Sequence, residues 1–83
     1  MNAPPKKLFI LDDETEIVEI LKPHFEKRGF QVTTSPSGEE ALKLLLDEPA
    51  DLLLLDYKLK DTLTGLDVLR KLRQYNIRPR VIF

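Results

Sequence analysis

Four carboxylates in this 83-residue chain stand where they could act together. Asp12, Asp13 and Glu14 follow the apolar run Leu8-Phe9-Ile10-Leu11 directly, and Asp56 follows Leu52-Leu53-Leu54-Leu55. If the two runs are neighbouring strands, Asp12, Asp13 and Asp56 meet at one edge of a sheet. Left uncompensated, such carboxylates repel and raise one another's pKa. A hard divalent cation resolves this. Mg²⁺ favours oxygen ligands and takes only one or two carboxylates in many sites, leaving room for water and phosphate oxygens. The pattern therefore reads as a Mg²⁺-assisted phosphate site. Alone, each acid has a plainer explanation, because Asp is a good helix cap and turn former. Asp13 would then only cap the next helix, and Asp56 would only turn the chain. Their joint placement after two apolar strands favours the site.

The elements that must position these acids follow from the hydrophobic pattern. Leu8–Leu11 is a short continuous apolar run, as expected of a strand covered on both faces. From Glu14 to Arg28 the period becomes helical, with Ile17, Leu21 and Phe25 on one face and Val18 beside them. Asp13 is the expected cap, with Glu16 three residues on, and Gly29 the stop. Pro23 removes a backbone donor and predicts a kink in the last turns. Phe30 to Thr34 reads as a second strand. Ser37 with Glu40 opens a second helix, whose apolar face is Ala41, Leu44 and Leu45. Leu52–Leu55 is a third strand, and Tyr57 to Thr64 a polar loop. Thr64 caps a third helix through about Tyr75, with Leu66, Val68, Leu69 and Leu72 facing inward, and Arg78-Pro79 breaks it. Val81-Ile82-Phe83 begins a fourth strand.

The order β-α-β-α-β-α-β predicts a doubly wound parallel α/β sheet with right-handed crossovers. Such sheets carry their sites at the carboxyl ends of the strands, where the acids lie.

Composition sets the bounds. The length suits one small domain, residues 1–83, with 1–5 a loose leader. With 13 Lys+Arg against 14 Asp+Glu, the net charge of −1 argues against a general nucleic-acid binder. No apolar stretch approaches the length of a spanning helix or a secretory signal. The expected compartment is the cytoplasm, and the absence of cysteine fits a reducing one.

The runs Leu8 to Glu14, Asp51 to Asp56 and Gly65-Leu66-Asp67-Val68-Leu69, with Gly29-Phe30 and Gly38-Glu39-Glu40-Ala41-Leu42 between them, resemble the receiver domain of bacterial response regulators. The resemblance covers nearly the whole chain. It implies a flavodoxin-like sheet of order 2-1-3-4. It implies that Asp56 accepts a phosphoryl group from a sensor histidine kinase's phosphohistidine. Asp13 would be a Mg²⁺ ligand and Asp12 its neighbour, direct or through water. Lys58 would offer its backbone carbonyl to the metal. Its side chain either stands at the mouth of the site or is simply solvated. Kinases usually dock near the first helix in this family, which places Glu16 and Ile17 near a partner surface.

Two departures accompany the resemblance. Lys60 stands where the family usually has Pro, and Lys60 to Thr64 carries a one-residue insertion. The chain reaches Phe83 before the Ser/Thr and Lys with which receivers report phosphorylation, so the incomplete receiver is expected to switch poorly. Strand four is then expected at a sheet edge, and edges seek partners. A homodimer through that edge is expected. His24 and the basic Arg70, Lys71 and Arg73 read as solvated helix residues, and Phe25 and Phe30 as core.

Three functions remain on the sequence alone. The first is a phospho-accepting signalling module, not a conventional enzyme. The second is a non-switching structural or oligomerisation module. A small Mg²⁺ hydrolase ranks last, since no base, oxyanion donor or substrate pocket is visible.

Overall fold

The computed structural model describes residues 5–56 and 64–82. Its elements are β1 (Lys7–Leu11), α1 (Thr15–Glu26), β2 (Gln31–Ser35), α2 (Gly38–Asp47), β3 (Leu52–Leu55), α3 (Gly65–Gln74) and β4 (Arg80–Ile82). The strands form one parallel sheet in the order β2-β1-β3-β4. This is the doubly wound parallel sheet expected from the pattern, in the flavodoxin-like order that the resemblance implies. The leader falls largely outside the described residues, as do Lys58 and most of the loop holding Lys60.

Burial follows strand position. β1 is central, and Leu8, Phe9, Ile10 and Leu11 are all buried, hence the unbroken apolar run. β2 lies at an edge and exposes Gln31 and Thr33 in alternation. The main core lies on one face, where Phe9, Leu11, Leu53 and Leu55 pack against Ala41 and Leu45 of α2 and Val68, Leu69 and Leu72 of α3. Leu8 and Ile10 alternate to the opposite face, the side of α1.

Several inward positions differ from the pattern. α1 buries none of its residues: Val18, Leu21 and Phe25 are half-buried and Ile17 is 38% exposed. Among the described elements α1 alone covers that face, so its apolar stripe meets sheet on one side only. Phe25 and Phe30 stand outside the main core and meet each other edge-to-face, with ring centroids 5.8 Å apart. In α2 the buried stripe is Gly38, Ala41 and Leu45, with Leu42 and Leu46 beside it. Leu44 is rotated outward by the helical repeat and is exposed. Leu66 is likewise exposed, because Val68, Leu69 and Leu72 already fill the α3 face.

The ends are set by local hydrogen bonds. Ser37 accepts the Glu40 amide at 3.3 Å, as expected of a cap. Thr64 and Asp67 make a reciprocal capping box on α3, at 3.2 and 3.1 Å. Asp13 does not cap α1. Glu14 occupies that position and its side chain makes no cap bond. α1 runs through Pro23 to Glu26 and stops at Gly29, whose φ of 93° lets Phe30 donate back to the Phe25 carbonyl. α3 ends in the same manner at Asn76, with φ 60° and Ile77 donating to the Leu72 carbonyl. The stop thus comes before Arg78-Pro79. β2 starts one residue later than the pattern suggests, because Gln31 is the residue that donates to the Lys6 carbonyl.

Candidate functional site

Strand register brings the acids together. Leu11 pairs with Leu55 across β1 and β3, and with Ser35 across β1 and β2. The ladder continues one step beyond the strands: Asp56 donates its amide to the Leu11 carbonyl at 2.9 Å, and Asp12 donates to the Ser35 carbonyl at 3.1 Å. Asp12 and Asp56 therefore lie side by side at the carboxyl edge, and Asp13 follows. Asp12, Asp13 and Asp56 each offer a carboxylate oxygen, and these oxygens lie within 4.8 Å of one another. Asp12 and Asp56 are half-buried and Asp13 is exposed, so the cluster opens to solvent on one side.

The Asp12 carboxylate is held from below, because its Oδ1 accepts the Glu14 amide at 2.9 Å. Burial raises its pKa above the usual carboxylate value, and the charges of Asp56 and Asp13 and a hydrogen bond with Asp56 push the same way. The Glu14 amide opposes them but does not prevail. Where neighbouring carboxylates crowd negative charge in this way, a divalent cation gains by binding. The donor set among the described residues, three carboxylates, fits a hard cation such as Mg²⁺.

Three of the four residues expected in the site are brought together, namely Asp12, Asp13 and Asp56. The fourth, Lys58, lies outside the described residues. Glu14, named with the cluster, contributes its backbone amide to Asp12. Asp51, at the other end of the same apolar run as Asp56, is far from the site and accepts the Lys7 amide at 2.8 Å.

Two supporting residues were not legible as such. Gly65 is buried at the start of α3, and a Cβ there would stand 3.2 Å from the Asp56 carbonyl oxygen. Ser35 is 1% exposed; its hydroxyl accepts the Ser37 amide at 3.2 Å and donates to the Ser37 carbonyl at 3.0 Å. It thereby fixes the turn beside Asp12. A glycine directly after the Thr64 cap was a usable signal for the first, whereas nothing in the sequence marked the second.

Comparison with known proteins agrees with this geometry. The family model of the response regulator receiver domain matches residues 8–83. The chain is 42% identical over 72 residues to the alkaline phosphatase synthesis transcriptional regulatory protein PhoP of Bacillus subtilis, covering 87% of this chain and 30% of PhoP. It is 40% identical over 70 residues to the response regulator SaeR of Staphylococcus epidermidis, covering 84% of this chain and 30% of SaeR. Among solved structures, the receiver domain of the Francisella response regulator 1452 superposes with a TM-score of 0.83 at 32% identity, over 92% of this chain and 62% of that one. The MaeR response regulator bound to beryllium trifluoride gives 0.79 at 33% identity, over 93% and 64%. The chain thus spans about a third of the length of these curated relatives. A parallel sheet of order 2-1-3-4 with an aspartate cluster at its carboxyl edge, and a family match from Leu8 onward, lead to one conclusion: the chain belongs to the response regulator receiver domain family.

Proposed function

We propose that this chain is the phospho-accepting receiver module of a two-component system, with Asp56 as the acceptor. The observation that carries the reading is the mutual approach of the Asp12, Asp13 and Asp56 carboxylates at the end of two adjacent strands. In the proposed step a carboxylate oxygen of Asp56 attacks the phosphorus of a phosphohistidine. A P–O bond forms as the P–N bond breaks, and the imidazole leaves once its ring has taken a proton. Asp12 and Asp13 are the proposed metal ligands with Asp56, and the Lys58 backbone carbonyl is proposed as a fourth. Bound there, Mg²⁺ would supply positive charge against the phosphoryl oxygens. Asp12 also keeps negative charge beside Asp56, which the cation would offset.

Receiver domains of this family work with sensor histidine kinases, and such a kinase is the proposed donor. The proposed setting is the cytoplasm, with neither nucleic acid nor membrane as a partner of this chain. No described helix is long and apolar enough to cross a membrane.

The test is intact mass after incubation with Mg²⁺ and acetyl phosphate, with Asp56→Asn alongside. One phosphoryl adduct, lost in the variant, supports the reading. No adduct from a chain with folded circular dichroism favours the alternative, a structural or oligomerisation module.

A second reading concerns assembly. β4 pairs with β3 and leaves its other side as a sheet edge among the described strands, with Ile82 45% exposed. A homodimer through this edge is proposed. A light-scattering mass of one chain at all concentrations overturns it.

A further inference from the structure

At the amino ends of the strands, opposite the acids, lies an open cleft of about 510 Å³. The four chain segments that enter the sheet meet here in a hydrogen-bonded row. Gln31 donates to the Lys6 carbonyl at 2.9 Å, Asp51 to the Lys7 carbonyl at 2.9 Å, and Arg80 to the Asp51 carbonyl at 3.1 Å. Along this row Lys6, Arg78 and Arg80 all line one cleft. All three residues are exposed, and none is in an ion pair among the described residues. Among the described residues of the lining the one carboxylate is Asp51, whose Oδ2 accepts the Lys7 amide and whose charge offsets only part of the three cations. The other charged pair nearby, Lys7 with Glu48, is internally satisfied. Leu52 and Ile77 form an apolar, half-buried floor.

Helix polarity does not account for these cations. The last turn of α3 has its own, Lys71 and Arg73, and its final carbonyls are met by Tyr75, Asn76 and Ile77 amides. Arg78 and Arg80 stand beyond that end. Three cations against one carboxylate leave the cleft net positive, and a multiply charged anion offsets that excess. Two guanidinium forks and an ammonium suit phosphate oxygens, which accept several charge-assisted hydrogen bonds at once. The strands separate this cleft from the aspartate cluster by about 15 Å, so the two sites are distinct and of opposite sign.

We propose that the cleft between the α3–β4 connection and the start of β3 binds an oligophosphate group, free or carried on a nucleoside, through Lys6, Arg78 and Arg80. The inference is independent of the acceptor role of Asp56.

The test is a titration of the ¹⁵N-labelled chain with tripolyphosphate, in chelator and at constant ionic strength, followed by amide chemical shifts. Saturable shifts are expected at the amides of Lys6, Asp51, Asn76, Ile77, Arg78 and Arg80. The double variant Arg78→Gln/Arg80→Gln is expected to weaken binding by about tenfold or more, and Lys6→Gln separately by less. All replaced side chains are exposed, and circular dichroism checks the fold of each variant. ATP in place of tripolyphosphate sorts the source. Tighter binding of ATP, with shifts at Leu52 and Ile77, identifies a nucleoside carrier resting on the apolar floor, and equal binding identifies the phosphate group alone. Shifts scattered over every Lys and Arg, or unchanged in the double variant, overturn the proposal. So does an acidic peptide that displaces tripolyphosphate at lower concentration.

Discussion

Asp56 donates its amide to the Leu11 carbonyl at 2.9 Å, and this bond sets its side chain next to that of Asp12. The site is therefore an extension of the β1–β3 ladder. Strand register places these acids, because Leu8–Leu11 pairs residue by residue with Leu52–Leu55. Slipping the pairing by one residue would turn the buried leucines outward and separate the acids.

The charge on Asp12 works against the fold when no cation is present. Burial raises its pKa first, and Asp56 and Asp13 add to it. A raised folded value means that the folded chain binds this proton more tightly than the unfolded chain. Stability is then lost as pH rises from the ordinary 3.8 through the raised value. Asp12→Asn is expected to melt a few degrees higher than the parent near neutral pH in chelator, and to gain less from added Mg²⁺. Paired thermal melts, with chelator and with Mg²⁺, check both parts.

Gly65 should act on Asp56 through the backbone. A methyl group at that position would stand 3.2 Å from the Asp56 carbonyl oxygen, closer than ordinary contact allows. Gly65→Ala improves helix propensity by up to about 1 kcal/mol, so a simple stability loss is not the expected signature. The expected signature is weaker Mg²⁺ binding, as the carbonyl and its side chain shift together. Calorimetric titration of Mg²⁺ into the two chains measures it.

The capping box on α3 should carry stability in a pH-dependent way. Thr64→Ala is expected to cost about 1 kcal/mol, read from urea unfolding. Hydrogen bonds from the Thr64 amide and hydroxyl lower the Asp67 pKa, with Arg70 and Lys71 contributing after them. A lowered folded value stabilises above the ordinary 3.8, and that contribution fades as pH falls through the lowered value. In Thr64→Ala the acid limb of the stability profile should flatten.

Leu53 is fully buried beneath α2 and α3. Leu53→Ala is expected to cost about 2–5 kcal/mol, enough to leave a small domain partly unfolded. Loss of the cooperative thermal transition, recovered in part by Leu53→Met, would mark a packing effect.

Much of the architecture was legible in the chain because its signals are local. The apolar runs of β1 and β3, the Thr64 cap and the Gly29 stop depend on neighbours in sequence, and each stands where the pattern places it. Parallel strands followed from alternation, whereas the order 2-1-3-4 followed from the family resemblance, and the meeting of Asp12, Asp13 and Asp56 depended on β1 and β3 being neighbours, which the sheet shows. What local patterning could not reach was which apolar residues end up covered. Ile17, Leu44 and Leu66 belong to helical stripes, but each lies beyond the surface that the sheet and the opposing helices present. Asp13 has a capping residue's type and spacing, but the chain turns so that Glu14 takes the cap position. The approach of Gly65 to Asp56, the buried Ser35 beside Asp12 and the gathering of Lys6, Arg78 and Arg80 join residues far apart in sequence. Only the packing of parallel strands, which aligns every carboxyl end on one edge and every amino end on the other, decides such contacts.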